Sequence, residues 1–261
     1  MKQRPAFPAK LDTAVRARTG AQGATVAPSA SMARVPAVPQ PQGLGMDSTA
    51  VRMNMVQKLR GQGITDAAVL AAMGAIERHR FVDSGLVNQA YEDTSLPIGL
   101  GQTISKPGVV SRMAELMRNG ASGKIGRVLE IGTGCGYQAA VLSLLATEVY
   151  SIERLRGLHD KARDNLRHLR LPNVHLLFGD GMEGYAKGAP YAAIIAAAGG
   201  EAVPQAWVEQ LAVGGRLVAP VVTGTGKGST QALLVLDKTP QGVRQTLLEP
   251  VHFVPLKSGV A

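Results

Sequence analysis

Short apolar segments alternate with segments of helical periodicity from residue 127 onward, and this alternation limits the fold more than any other feature of the sequence. Residues 127–131 predict a buried strand, residues 137–146 a helix and residues 148–152 a second strand. Strands that helices connect in this way lie parallel in one sheet with helices on both faces. The sequence therefore predicts an α/β fold. Aromatic residues make up only 4% of the chain, so Ala, Val, Leu and Ile must fill the core, as is typical of parallel sheets.

More elements of the same kinds follow residue 152. They are a helix over 155–169, strands over 174–178 and 191–196, a helix over 203–213, and strands over 216–222, 231–237 and 243–255. Gly214 and Gly215 end the second of these helices, and Pro250 interrupts the last strand. No internal repeat is visible.

The region before this alternation predicts helices and one long loop. Residues 51–60 predict a short helix, and Thr65 and Asp66 are suited to start another. Residues 81–104 carry scattered apolar residues among prolines and glycines, and they predict a long loop. Pro107 suits the first turn of the next helix.

Residues 1–45 differ in composition from the rest of the chain. They are rich in Pro, Ala, Gly, Gln and Ser, show no sustained periodicity, and predict a disordered basic extension. They contain one acidic residue, Asp12, and six basic residues, which are Lys2, Arg4, Lys10, Arg16, Arg18 and Arg34. Two alternatives stay open. One is a transit peptide, and the other is a start codon assigned upstream of Met46, Met53 or Met55.

Charge and composition exclude several classes of protein. The formal net charge is +9, but the basic residues are scattered and are not interleaved with aromatic residues, so we expect no nucleic-acid binding. No apolar run approaches the roughly 20 residues of a membrane span, so we expect no membrane binding. Cys135 is the only cysteine, which excludes an intrachain disulfide and a cysteine metal cluster. The histidines lack the spacing of zinc ligands, so we expect no metal site. A cytoplasmic protein is the expectation.

The strongest local signal is a glycine-rich turn between the first strand of the alternation and the helix that follows. Its glycines, Gly132, Gly134 and Gly136, have the spacing G-x-G-x-G, whereas a dinucleotide site has G-x-G-x-x-G. The third glycine of the dinucleotide pattern would fall at Tyr137, where a tyrosine would crowd the helix against the strand. The carboxylate of Glu130 would repel a pyrophosphate but attract the cationic amino-acid end of S-adenosylmethionine. The turn therefore favours a ligand without phosphates.

Two more acidic residues follow the next two strands. Glu153 stands at the end of the second strand, where an acid can accept hydrogen bonds from both ribose hydroxyls. Asp180 follows the third strand between Gly179 and Gly181, and it could bind the adenine amino group. Each of these features alone is more often a turn or a helix cap. Together they lie at the edge where open α/β sheets bind ligands, and they predict S-adenosylmethionine over NAD.

The chain from about residue 53 to its C-terminus resembles the protein-L-isoaspartate O-methyltransferase family. The resemblance depends on several separate stretches, which are Phe81-Val82-Asp83, Leu96-Pro97-Ile98-Gly99, Gly101-Gln102-Thr103-Ile104-Ser105, residues 129–137, 149–154 and 173–181, Ala189-Pro190-Tyr191 and Phe253-Val254-Pro255-Leu256. The glycine turn is common to many methyltransferases, whereas the stretch that ends at Ser105 is specific to this family.

The resemblance implies a Rossmann-like methyltransferase fold, with a central, mostly parallel sheet and an antiparallel C-terminal strand. Residues 46–261 would form the methyltransferase domain, in which 46–120 supply the helical and substrate-loop part and 121–261 the cofactor-binding core. The activity implied is methyl transfer from S-adenosylmethionine to the α-carboxyl group of L-isoaspartyl residues in damaged proteins. The ester would then close to a succinimide. The partners implied are isoaspartyl proteins and peptides, and we expect a monomer.

By position, Ser105 matches the active-site serine of the family. The candidate cofactor-binding residues are Ile104, Ser105, Glu130, Gly132, Thr133, Gly134, Gly136, Tyr137, Glu153, Arg154, Asp180 and Gly181. The substrate carboxylate is already ionised at neutral pH, so no general base is required. On local sequence alone, Ser105 could instead cap the helix that begins near Pro107.

The chain departs from the family at two places near the expected substrate cleft. Lys106 and Gly108 follow Ser105 where the family has other residues, and Gly199-Gly200 follow the strand at 191–196. These departures leave the peptide preference open. The alternative functions are a methyltransferase for another protein or a small molecule, an NAD-dependent oxidoreductase, and a non-catalytic protein-binding module.

Overall fold

The computed structural model describes residues 49–224 and 229–261. The predicted extension 1–45 therefore lies outside the described residues. Within the described part of the chain, no helix is long and apolar enough to cross a membrane.

A seven-stranded sheet forms the centre of the fold. A separate hairpin of β1 (Leu96–Gly99) and β2 (Gln102–Ile104) precedes it in the chain. The strands of the sheet are β3 (Ile125–Ile131), β4 (Ala146–Glu153), β5 (Val174–Phe178), β6 (Tyr191–Ala196), β7 (Leu211–Thr223), β8 (Thr230–Thr239) and β9 (Gly242–Val251). Their order across the sheet is β5-β4-β3-β6-β7-β8-β9. The first five in this order are parallel, and β8 and β9 each pair antiparallel. This confirms the predicted fold class.

Helices cover both faces of the sheet. The α-helices are α1 (Thr49–Gly61), α2 (Ala67–Ala75), α3 (Pro107–Arg118), α4 (Tyr137–Leu145), α5 (Arg156–Arg167) and α6 (Gln205–Gln210). Successive side chains of a strand point to opposite faces. Accordingly, Val128 belongs to a buried cluster with Met113 of α3, whereas Leu129 belongs to another with Trp207 of α6. These two helices therefore pack on opposite faces.

The predicted long loop over 81–104 is wrong in part. It contains a short helix, Ser84–Gln89, and a hairpin of β1 (Leu96–Gly99) and β2 (Gln102–Ile104). The hairpin turns at Leu100 and Gly101, which both have positive φ. Strands of three and four residues are too short to show periodicity, so no sequence pattern indicated them. This hairpin leads directly to Ser105.

Two predictions for the C-terminal half also need correction. The helix predicted over 203–213 ends at Gln210, because Leu211 begins β7 and pairs with Tyr191 of β6. The last strand is not broken at Pro250, which pairs opposite Ala232 within β9. Since β9 is an edge strand, a proline there needs no partner for the missing N–H.

Candidate active site

A cavity opens at the carboxyl ends of the parallel strands, where β3 pairs with both β4 and β6. The chain reverses its direction of travel across the sheet at this point, which is where open α/β sheets bind ligands. Nine of the twelve predicted cofactor residues line the cavity, and these are Ile104, Ser105, Gly132, Thr133, Gly134, Tyr137, Glu153, Arg154 and Gly181. The structure therefore brings together residues from β2, the glycine turn, β4 and the segment after β5.

The glycine turn uses its own amides to hold its shape. Gly132, Gly134 and Gly136 all have positive φ, which other residues rarely adopt. The amides of Gly132 and Thr133 donate to the carbonyl of Ile152, and the Gly134 amide donates to Glu153 Oε2 over 2.8 Å. These three amides are thus engaged within the protein and do not form a phosphate cradle. The turn fits a phosphate-free adenosyl group better than a dinucleotide.

Glu153 connects the turn to the next helix. Its side chain is buried at the end of β4, and while Oε2 accepts from Gly134, Oε1 accepts from the amide of Leu155 over 2.9 Å. Each carboxylate oxygen can accept a second hydrogen bond, and the side chain borders the cavity. The oxygens of Glu153 can therefore still accept the predicted hydrogen bonds from ribose hydroxyls in the cavity.

Glu130 is placed differently from the expectation. It is fully buried, it does not line the cavity, and Ser151 Oγ donates to its Oε2 over 2.5 Å. Burial raises the pKa of the Glu130 carboxyl to about 8. The raised pKa disfavours the negative charge that the sequence suggested at this position. Glu130 instead supports Thr133, whose hydroxyl is 2.6 Å from Ser151 Oγ.

Asp180 also lies outside the cavity wall. Its Oδ1 accepts from the amide of Met182 over 2.8 Å, and its Oδ2 accepts from the amide of Gly259 over 2.5 Å. The C-terminal segment thus hydrogen-bonds the carboxylate that was expected to bind adenine. This contact has no local sequence signal, because the two residues are 79 positions apart.

The C-terminal segment forms one wall of the cavity. Its lining residues are Val254, Pro255, Leu256 and Lys257. Beyond them, Arg154 Nε donates to the carbonyl of Gly259 over 2.8 Å, and the amide of Ala261 donates to the carbonyl of Arg154 over 2.8 Å. These bonds fix the segment against the end of β4.

The residues that begin α4 combine packing with cavity lining. Gly136 is the N-cap, and a Cβ there would lie 3.1 Å from Leu166 Cδ1, so it packs against α5 and does not border the cavity. The Tyr137 ring is buried, and its pKa is raised to about 12 by burial. Burial likewise raises the pKa of the Cys135 thiol to about 11, so this cysteine is not a nucleophile at neutral pH.

Gln138, in the first turn of α4, is a site residue that no sequence pattern indicated. Gln138 lines the cavity, and its buried Nε2 makes no short hydrogen bond within residues 49–224 and 229–261, although the side chain is near enough to Glu130 to lower the pKa of that carboxyl against the larger effect of burial. A buried donor of this kind costs free energy unless a ligand accepts from it. The carboxylate of an amino-acid ligand has the required chemistry, so the residues present fit S-adenosylmethionine.

Ser105 lies where two depressions meet. It borders the cofactor cavity, and it also borders a groove lined by residues of α3, β9 and the segment that follows β9. Helix α3 begins at Pro107 with Lys106 as its N-cap, so Ser105 does not cap it. The Ser105 hydroxyl makes no hydrogen bond to another described residue, and this leaves it available to a ligand.

The cavity, its adenosyl-compatible turn and the adjoining groove agree with the comparisons made with known proteins. The family model described as protein-L-isoaspartate(D-aspartate) O-methyltransferase matches residues 50–261. The chain belongs to this family. The match covers every element of the described structure except the first residue of α1.

Curated relatives give the same result. A protein-L-isoaspartate O-methyltransferase of Methylibium petroleiphilum is 59% identical over 221 residues, which are 84% of this chain and 81% of that protein. One from Ralstonia nicotianae is 54% identical over 246 residues, which are 90% of this chain and 76% of that protein.

Solved structures agree on the fold. A protein-L-isoaspartate O-methyltransferase structure has a TM-score of 0.71 at 28% identity, over 80% of this chain and 67% of the other. A putative member from Plasmodium falciparum, solved with S-adenosyl-L-homocysteine, has a TM-score of 0.66 at 22% identity, over 79% and 98% of the two chains. The second comparison supports the fold alone.

Family membership confirms the predictions of fold, cofactor and reaction. The chain is an S-adenosylmethionine-dependent methyltransferase that acts on isoaspartyl residues of damaged proteins in protein repair. The alternative of an NAD-dependent oxidoreductase, which the spacing of the glycine turn already opposed, is wrong.

Proposed function

We propose that Ser105 positions the isoaspartyl carboxylate for methyl transfer at the junction between groove and cavity. One observation carries this proposal, namely that Ser105 borders both the cofactor cavity and the groove. A peptide in the groove can therefore place its carboxylate beside the hydroxyl of Ser105. When bound, S-adenosylmethionine supplies a methyl group that its sulfonium already activates.

The residues of the chain contribute binding and alignment. Glu153 would hold the ribose, Gln138 and the glycine turn the amino-acid end, and Leu256 would exclude water from one side. Ser105 would direct the substrate oxygen towards the methyl group that bound S-adenosylmethionine would supply. No proton has to be removed, because an α-carboxyl group has a pKa of roughly 3.3–3.7. Well-oriented groups of this kind can lower a barrier by about 7–11 kcal/mol.

The remaining features of the proposal concern the whole chain. We propose that residues 46–120 supply the substrate side and 121–261 the cofactor side of one domain. We also propose that the protein is a cytoplasmic monomer that binds neither nucleic acid nor membranes. The methyl ester would close to a succinimide, whose hydrolysis restores some normal aspartate.

The test is a Ser105→Ala variant, assayed for methyl transfer from labelled cofactor to an isoaspartyl peptide. Loss of one hydrogen bond to a charged group costs about 1.5–3 kcal/mol, so kcat/KM should fall roughly 10- to 150-fold. Binding of S-adenosylhomocysteine should stay within a few-fold of the unmodified protein. Ser122→Ala, at an exposed site away from both depressions, is the matched control. The role of Ser105 is disproved if the variant methylates the isoaspartyl peptide at the unmodified rate.

A further inference from the structure

The groove beside Ser105 carries four charged side chains that bear on substrate recognition. These are Asp93, Lys106, Arg112 and Glu249. Arg112 Nε is paired with Glu249 Oε1 at 2.7 Å, and Arg112 is also within 3.3 Å of Glu115. The charges of Arg112 and Glu249 therefore offset each other within the protein.

Asp93 is also engaged. Its Oδ1 accepts from the amide of Gly108 over 2.7 Å, and its Oδ2 accepts from Gln62 Nε2 over 3.3 Å. The carboxylate thus satisfies an N-terminal amide of α3, a task that an N-cap side chain usually performs. A Cβ at position 108 would lie 2.9 Å from Asp93 Oδ1, so a residue larger than glycine would displace this contact.

Lys106 makes the longer of the two ion pairs among these groove residues. It is the N-cap of α3 but makes no capping hydrogen bond, and its ammonium lies 3.9 Å from Asp93 Oδ2. Its side chain is 46% exposed and borders the groove. A cation in this position is available to a negative group on a bound peptide.

We propose that Lys106 makes this enzyme prefer isoaspartyl substrates with an acidic side chain one or two residues from the isoaspartate. The inference depends on the proposed role of Ser105. Lys106 directly follows Ser105, which is proposed to hold the reacting carboxylate, and consecutive Cα atoms are about 3.8 Å apart. A flanking Asp or Glu of an extended peptide comes within the reach of the lysine side chain.

The experiment uses the full chain and isoaspartyl peptides that differ at one flanking position, as Glu, Gln or Lys. Acetylated and amidated ends remove the terminal charges, so that only the side chain is tested. The readout is the ratio of kcat/KM for the Glu peptide to that for the Gln peptide. Exposed ion pairs are weak, so we expect this ratio to be about two- to fivefold at low salt at the best position. It should approach one at about 1 M salt, where the Debye length is about 3 Å.

Variants of Lys106 then test whether this residue causes the preference for an acidic flanking residue. Lys106→Gln should bring the ratio to about one, and Lys106→Glu should favour the Lys peptide instead. Lys187→Gln, at an exposed position outside the groove, should keep the unmodified ratio. Binding of S-adenosylhomocysteine by each variant confirms that it is folded.

Three results would overturn the inference. The ratio could be one in the unmodified enzyme, or it could survive Lys106→Gln. Alternatively, Lys106→Gln could lower kcat/KM equally for all peptides, which would place Lys106 on the reacting carboxylate instead. Methylation without a charge preference refutes this inference but leaves the role of Ser105 intact, whereas absence of methylation refutes both.

Discussion

Glu153→Gln should weaken cofactor binding and destabilise the fold together. The carboxylate accepts from the amides of Gly134 and Leu155, one on each oxygen, at 2.8 and 2.9 Å. Glutamine is nearly the same size but has one oxygen, so one of the two amides would face an NH₂ group. A buried amide without its acceptor costs about 1–3 kcal/mol.

The same substitution removes the charged acceptor proposed for the ribose. A loss of about 1–3 kcal/mol corresponds to a roughly 5- to 150-fold rise in the Kd for S-adenosylhomocysteine, measured by titration calorimetry. Without ligand, Tm should fall by roughly 2–4 °C for each kcal/mol lost.

Glu148→Gln is the matched control, because Glu148 lies on the same strand but forms an exposed pair with Arg127. Exposed pairs contribute little, so both Kd and Tm should change only slightly. An unchanged Kd in Glu153→Gln would refute the ribose contact, and an unchanged Tm would refute the hydrogen-bond argument.

Two further predictions test burial and charge. Cys135 is only 2% exposed and has a raised pKa, so iodoacetamide at pH 8 should label it after unfolding in urea but not in the native protein; rapid native labelling would contradict its placement. The hydrogen bonds from Arg216 hold the pKa of Asp237 below its usual value of 3.8. The Asp237 carboxylate therefore stabilises the folded state above pH 3.8, and this stabilisation is lost as the pH falls through the folded-state pKa. Asp237→Asn should therefore lower the free energy of unfolding, measured in urea, at pH 6 but progressively less below pH 3.8; an equal difference at every pH would contradict the assigned charge pairing.

The elements that carry the site were predictable because their signals are local. The strands at 174–178 and 191–196 have the predicted bounds. The glycine turn also follows β3 as expected, since the spacing of its glycines encodes positive φ directly. Local sequence was thus sufficient for the core of the sheet and for most of the cavity.

The roles of Glu130 and Asp180 could not be predicted, because each depends on contacts from distant parts of the chain. Burial on the interior strand β3 raises the pKa of Glu130, and the carboxylate of Asp180 accepts from the amide of Gly259. The hairpin before Ser105 escaped prediction for another reason, namely that its strands are shorter than any periodic pattern. Residue types therefore indicated the chemistry of the site, but tertiary packing decided which carboxylates border the cavity.

The docking of residues 254–261 on the cavity has a consequence for biosynthesis. Asp180 and Gly259 are 79 positions apart, so β3, β4 and β5 are synthesised well before this wall. Until then the adenosyl pocket stays open on one side. The cavity is therefore complete only after residues 254–261 have been synthesised and docked. A premature stop codon ahead of position 254 would remove one wall of the cavity and should weaken cofactor binding.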